Sequence, residues 1–264
     1  MNYKHLFMLA ILPLMLACSP KEYSFETMPK IDAHIHFRVS GPDVMKQAVA
    51  VNFKVVNIVV DHSPVEPQKE FIRKQMALFP GDMLYVTSFP MEGWDEPDWQ
   101  ERTIASIKKD FANGAKALKV WKNIGMEFRD KDGRFVMSDD PKIAAIFDLV
   151  EAEHKTQTAH LGEPRDCWLP LEEMKAASNR NYFQRNPHYH MYLHPDYPSY
   201  EDHIAAMKNM LRKHPNMRYV GCHLASLEWS PAELASFLDE FPNAAVDMAA
   251  RIDDWQNVDQ TELR

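Results

Sequence analysis

Residues 31–36 read Ile-Asp-Ala-His-Ile-His and carry the first recognisable chemistry in the chain. On an extended strand, positions i and i+2 share a face, so His34 and His36 can aim two imidazoles at one point. Neutral imidazole binds zinc and other divalent transition metals, and two donors on one rigid strand are already preorganised for an ion. Two further histidines close apolar runs: His160 in Thr-Gln-Thr-Ala-His-Leu-Gly and His223 in Tyr-Val-Gly-Cys-His-Leu-Ala. Of the 12 histidines, only these four and His62 sit at or near the C-terminal end of such a run. Arg165, just beyond His160, could pair with a substrate carboxylate through its planar fork. Trp168 and Tyr200 could wall the same pocket, or simply pack within their loop.

Whether these side chains meet depends on the elements that carry them. Short runs rich in Val, Ile or Ala predict strands over 30–37, 55–62, 83–90, 117–122, 156–162, 219–226 and 244–250. Between them, Ile143, Ile146, Phe147 and Val150 follow helical spacing after Ser-Asp-Asp-Pro. Leu234, Phe237, Leu238 and Phe241 do so after Ser-Pro, and Ile104, Ile107 and Phe111 mark a third helix face. Strand and helix alternate along one domain, which predicts a parallel α/β sheet of (β/α)8 barrel type. Four strand-end histidines would then converge on one mouth. Only seven strands are found: after the seventh, residues 251–264 contain no further apolar run, so the expectation is a barrel truncated after strand seven. Its two open edges favour self-association, a homo-oligomer. The segment 163–200, rich in Pro and aromatics, follows strand five on the side where such barrels carry active-site loops.

Composition narrows the function. The 264 residues are 45% hydrophobic and 26% charged, with 38 acidic against 30 basic side chains. That net charge of −8, without a basic cluster, excludes nucleic acid as a main partner and leaves a small-molecule substrate. The apolar run 6–17 is too short for a membrane span of about 20 residues but suits a secretory leader. It stops at Leu-Ala-Cys-Ser, which resembles the lipobox of bacterial lipoproteins. This reading makes 1–18 a signal peptide, Cys18 the lipidated residue, 19–29 a tether and 30–264 the catalytic domain. The protein would be exported to the cell envelope or periplasm and touch the membrane only through its lipid; plain secretion is the alternative. Cys167 and Cys222 are then expected as free thiols.

Taken together, Asp-Ala-His-Ile-His on strand one, a lysine on strand four and single histidines ending strands five and six resemble the amidohydrolase superfamily of TIM-barrel metal-dependent hydrolases, in its amidohydrolase-related branch. The resemblance covers residues 30–250. It implies one or two divalent ions, zinc first, with His34 and His36 on the more buried ion and His160 and His223 on a second ion or on substrate and water. Lys119 matches the strand-four lysine that some branches carboxylate into a bridging ligand; a structural lysine is the equal alternative, and Lys122 is its rival. Asp247 matches a strand-seven aspartate that supports a ligand or substrate. The superfamily's general base ends strand eight, so the catalytic residue stays unassigned, with Asp247, Asp253 or Asp254 as substitutes. The implied reaction is attack of metal-activated water on an amide, ester or lactone carbonyl. Non-oxidative decarboxylation of aromatic acids is a second reading within the fold, and a non-catalytic envelope lipoprotein a third.

Overall fold

The computed structural model describes residues 24–37, 41–256 and 261, so the segment 1–18 expected to be a leader, with Cys18, lies outside the described residues. Seven strands form one parallel sheet in chain order: β1 (Lys30–Ile35), β2 (Phe53–Ile58), β3 (Met83–Ser88), β4 (Ala117–Val120), β5 (Thr156–Ala159), β6 (Arg218–Gly221) and β7 (Ala244–Val246). Helices fill each crossover: α1 (Asp43–Ala50), α2 (Val65–Leu78) and α3 (Trp99–Ala112) follow the first three strands, and α4 (Asn123–Met126) and α5 (Pro141–Ala152) follow β4. After them come α6 (Ala177–Arg185) and α7 (Tyr200–Lys213), then α8 (Pro231–Glu240) and α9 (Ile252–Gln256). Among the described residues there is no eighth strand and no pairing of β7 with β1, so the sheet is an open barrel-type α/β layer with two free edges. No described helix is long and apolar enough to cross a membrane.

All seven predicted runs are strands, but each leaves the sheet two to five residues before its apolar stretch ends. The reason is visible at β6. Gly221 has no room for a side chain, since a Cβ there would lie 2.5 Å from Ala225 Cβ. Directly after it, His223, Leu224, Ala225 and Ser226 all adopt left-handed backbone, with φ between 54° and 60°. Each such residue costs roughly 1–2 kcal/mol, so tertiary bonds must hold the turn. Leu224 N–H donates to Asp247 O at 2.7 Å, and Ser226 Oγ donates to Leu161 O at 3.1 Å.

Register sorts the two sheet faces. Tyr85, Leu118, Val120 and Tyr219 are buried against the helices. On that face Thr87 Oγ1 and Lys69 Nζ both reach Asp110 Oδ2 at 2.6 Å, tying β3 and α2 to α3. The opposite face carries Ile58, Val86 and Ala117, then a polar row in which Ser88 pairs with Lys119 and Lys119 with Thr158. The segment after β5 folds as short turns and α6 around Cys167, Met174, Phe183, Tyr189 and Met191, a second core lying over the strand ends.

Candidate metal centre

The strand ends bring all four histidines together. His34 and His36 project from β1 with their Nε2 atoms 3.2 Å apart. The His34 ring lies 4.8 Å from that of His223, which lies 4.4 Å from that of His160. His160 stands just past β5, its N–H donating to Val120 O at 3.0 Å, and the left-handed turn after β6 swings His223 inward.

Each of three imidazoles is held by its far nitrogen. His34 Nδ1 faces Asp247 Oδ2 at 2.7 Å, His36 Nδ1 faces Ile58 O at 2.8 Å, and His223 Nδ1 faces Ala249 O at 2.7 Å. A carboxylate or carbonyl can only accept, so each Nδ1 carries the proton and leaves Nε2 as the donor atom for an ion. Buried Nε2 of His160 has no hydrogen-bond partner, with Glu163 Oε2 at 3.5 Å. Two Nε2 lone pairs at 3.2 Å repel unless a proton or cation lies between them, so the donor set fits a divalent ion.

The electrostatics agree. Burial, the largest influence, would lower His34, but the Asp247 carboxylate and the Cys222 sulfur together outweigh it and push the imidazole up to about 9. Burial would raise Asp247, yet the His34 ring and the His223 N–H, at 2.9 Å from Oδ1, hold it well below the usual carboxylate range. Burial, helped by neighbouring cations, pushes His160 and His223 far down, so both are neutral at pH 7.

Behind the histidines lies a feature the sequence did not announce. Buried Lys119 donates from Nζ to Cys222 Sγ at 2.7 Å, and Thr158 Oγ1 is 3.2 Å from the same sulfur. Burial raises the Cys222 thiol, but Lys119 and His34 more than reverse this, leaving it below its ordinary value. His34, Cys222 and Asp247 each offer a donor atom within 4.8 Å of the others, so Cys222 joins the candidate ligands. Cys167 and Cys222 are both free and buried. Lys122 lies past the end of β4 and pairs with Glu163, its amine 3.7 Å above the Tyr189 ring. Burial would lower that amine; the Glu163 carboxylate raises it instead.

A cavity of about 290 Å³ opens onto His160 and His223, lined also by Lys122, Glu163, Tyr182 and Arg251. Arg165, Trp168 and Tyr200 do not line it. Arg165 stacks 4.1 Å from the Trp229 ring and, with Tyr200, borders a different cavity of about 480 Å³ between α7 and α8. Trp168 packs edge-on against Tyr200 and donates Nε1–H to Pro198 O. Asp254 bonds Asn179, and Asp253 bonds Ser178.

No protein-family model and no curated protein match the chain. Solved structures do. A 2,6-dihydroxybenzoate decarboxylase from Rhizobium superposes with a TM-score of 0.57 at 13% identity, over 87% of this chain and 84% of that one. A 2,6-dihydroxybenzoate decarboxylase complexed with 2,6-dihydroxybenzoate gives 0.52 at 12% identity, over 81% of this chain and 72% of the other. At such identity the likeness shows the fold alone.

Proposed function

We propose that the protein is a metal-dependent hydrolase of the amidohydrolase type, acting on an amide, ester or lactone carbonyl of a small molecule. The observation that carries this reading is the common anchoring of His34, His36 and His223 through Nδ1, which leaves their Nε2 atoms as donors beside the unpartnered Nε2 of His160. These four, with Cys222 or Asp247, would hold one or two ions, zinc being the first choice. A bound divalent ion supplies a water whose pKa falls toward about 7 and a Lewis acid for the carbonyl.

The chain's own residues divide the remaining work. Asp247, committed to the His34 ring and to the His223 and Ala249 N–H groups, is a positioning residue and a weak base. His160, neutral and with Nε2 unbonded, would ligate the second ion or orient water and substrate at the cavity wall. Burial holds its imidazole far down, so it is a poor base and the proton acceptor stays unassigned. The insert contributes Tyr182 and Phe183 to the wall of the cavity beside His160 and His223. Non-oxidative decarboxylation is the second reading, favoured by the fold shared with two solved structures of 2,6-dihydroxybenzoate decarboxylase. Export with a lipid on Cys18 remains part of the proposal.

Elemental analysis of leaderless protein tests the centre: about one or two equivalents of metal are expected, absent from a His34→Ala/His36→Ala variant. Well-folded wild-type protein that takes up no metal would overturn the reading. Assays of an ester or lactone panel against aromatic acids then separate hydrolysis from decarboxylation.

A further inference from the structure

We infer that Arg251 is the specificity-determining residue of the cavity and receives a carboxylate on the substrate that is distinct from the reacting carbonyl. Arg251 is 8% exposed and lines the same cavity as His160 and His223. Its Nε is buried without a hydrogen-bond partner, and Nη1 donates to Ala250 O at 2.7 Å. The nearest carboxylate oxygen, Asp254 Oδ2, stands 3.9 Å from Nη1, beyond hydrogen-bond distance, and is itself unpartnered. The other cation on the cavity wall, Lys122, is in a close ion pair with Glu163, whereas Arg251 has only this long ion pair with Asp254 and a more distant attraction to Glu228.

A guanidinium keeps its charge at any working pH, and burying it with most of its donors unused is costly. An oxyanion entering the cavity would meet that fork, whose two parallel N–H groups match a carboxylate. Tyr182 and Phe183, on the same wall, offer flat apolar surface for the body of the molecule. The substrate class is therefore a small planar carboxylate whose second functional group reaches the histidines. Sequence reasoning gave this role to Arg165; the fold seats Arg165 on Trp229, at another cavity.

The inference rests on the centre proposed above, but its test does not need the metal. Benzoate and its neutral isostere benzamide are titrated calorimetrically into leaderless, chelator-treated wild-type protein and into Arg251→Gln, Arg251→Lys and Arg165→Gln variants, each checked for an unchanged thermal transition. Wild type should bind benzoate at least about tenfold more tightly than benzamide, Arg251→Gln should abolish the preference, Arg251→Lys should restore part of it, and Arg165→Gln should leave it intact. Equal binding of the two ligands, no binding of benzoate to folded wild type, or an unchanged preference in Arg251→Gln would each overturn the assignment. Tighter binding of phenylphosphate than of benzoate would overturn the carboxylate. Because metal content is read separately, loss of either result leaves the other standing.

Discussion

Zinc loading should expel a proton from His34, and removing the Asp247 charge should abolish that release. In the metal-free protein the His34–Asp247 pair, 2.7 Å apart and shielded from solvent, holds the imidazole at about 9. At pH 7 about 99 of 100 molecules then carry the proton on His34, where Nε2–H donates to His36 Nε2 at 3.2 Å. An ion binding Nε2 must displace it. Apparent affinity should therefore climb about tenfold per pH unit between pH 7 and 9 and level off above, a total of about a hundredfold or 2.7 kcal/mol. Calorimetric titration of chelator-treated protein in buffers of different ionisation enthalpy counts the protons directly. In Asp247→Asn the carboxylate is gone and burial outweighs the remaining Cys222 contact, so the His34 proton is lost below neutrality and the climb disappears. Intrinsic affinity should also drop roughly 10–100-fold with the loss of the orienting group. A proton from zinc-bound water would appear in both proteins, so the difference between them isolates His34. Equal proton release in wild type and variant at pH 8 would refute the reasoning.

Three further outcomes follow from particular contacts. Cys222→Ala leaves the Lys119 amine buried without its sulfur partner and should cost about 3–5 kcal/mol in denaturant unfolding, whereas adding Lys119→Met should recover about 1–3 kcal/mol; strictly additive losses would disprove the pairing. Asp110→Ala strips buried Lys69 and Thr87 of their shared acceptor and should lower stability by about 3–5 kcal/mol, with a cost under about 1 kcal/mol counting against it. Glu228 is buried with Oε2 unpartnered, and burial raises its carboxyl to about 7. A carboxyl raised on folding favours the protonated fold, so stability should fall as pH rises from about 4.5 to 7, by up to roughly 3 kcal/mol. Glu228→Gln should then raise the melting temperature at pH 8 and have little effect at pH 4; a gain independent of pH would contradict the assignment.

What was legible in the sequence is local. Period two puts His34 and His36 on one face, and seven apolar runs are long enough to be seen as buried parallel strands without knowing their neighbours. His160 and His223 were visible because a histidine ending such a run is unusual. The ends of those strands were not visible, because the apolar residues after β6 continue while the backbone does not. His223–Ser226 turn left-handed without a glycine among them, held by bonds to Leu161 and Asp247.

The pairings that make the centre were decided by the tertiary structure. Asp247 lies 213 residues from His34 and Cys222 lies 103 from Lys119, and no spacing rule relates residues so far apart. Arg165 has the better sequence position, next to His160, yet a turn carries it away to Trp229. Arg251 enters the cavity from the far end of the chain. Residue types and their local period set which chemistry this protein can host. The curl of an open parallel sheet, which brings the ends of distant strands to one mouth, set which of those residues share it.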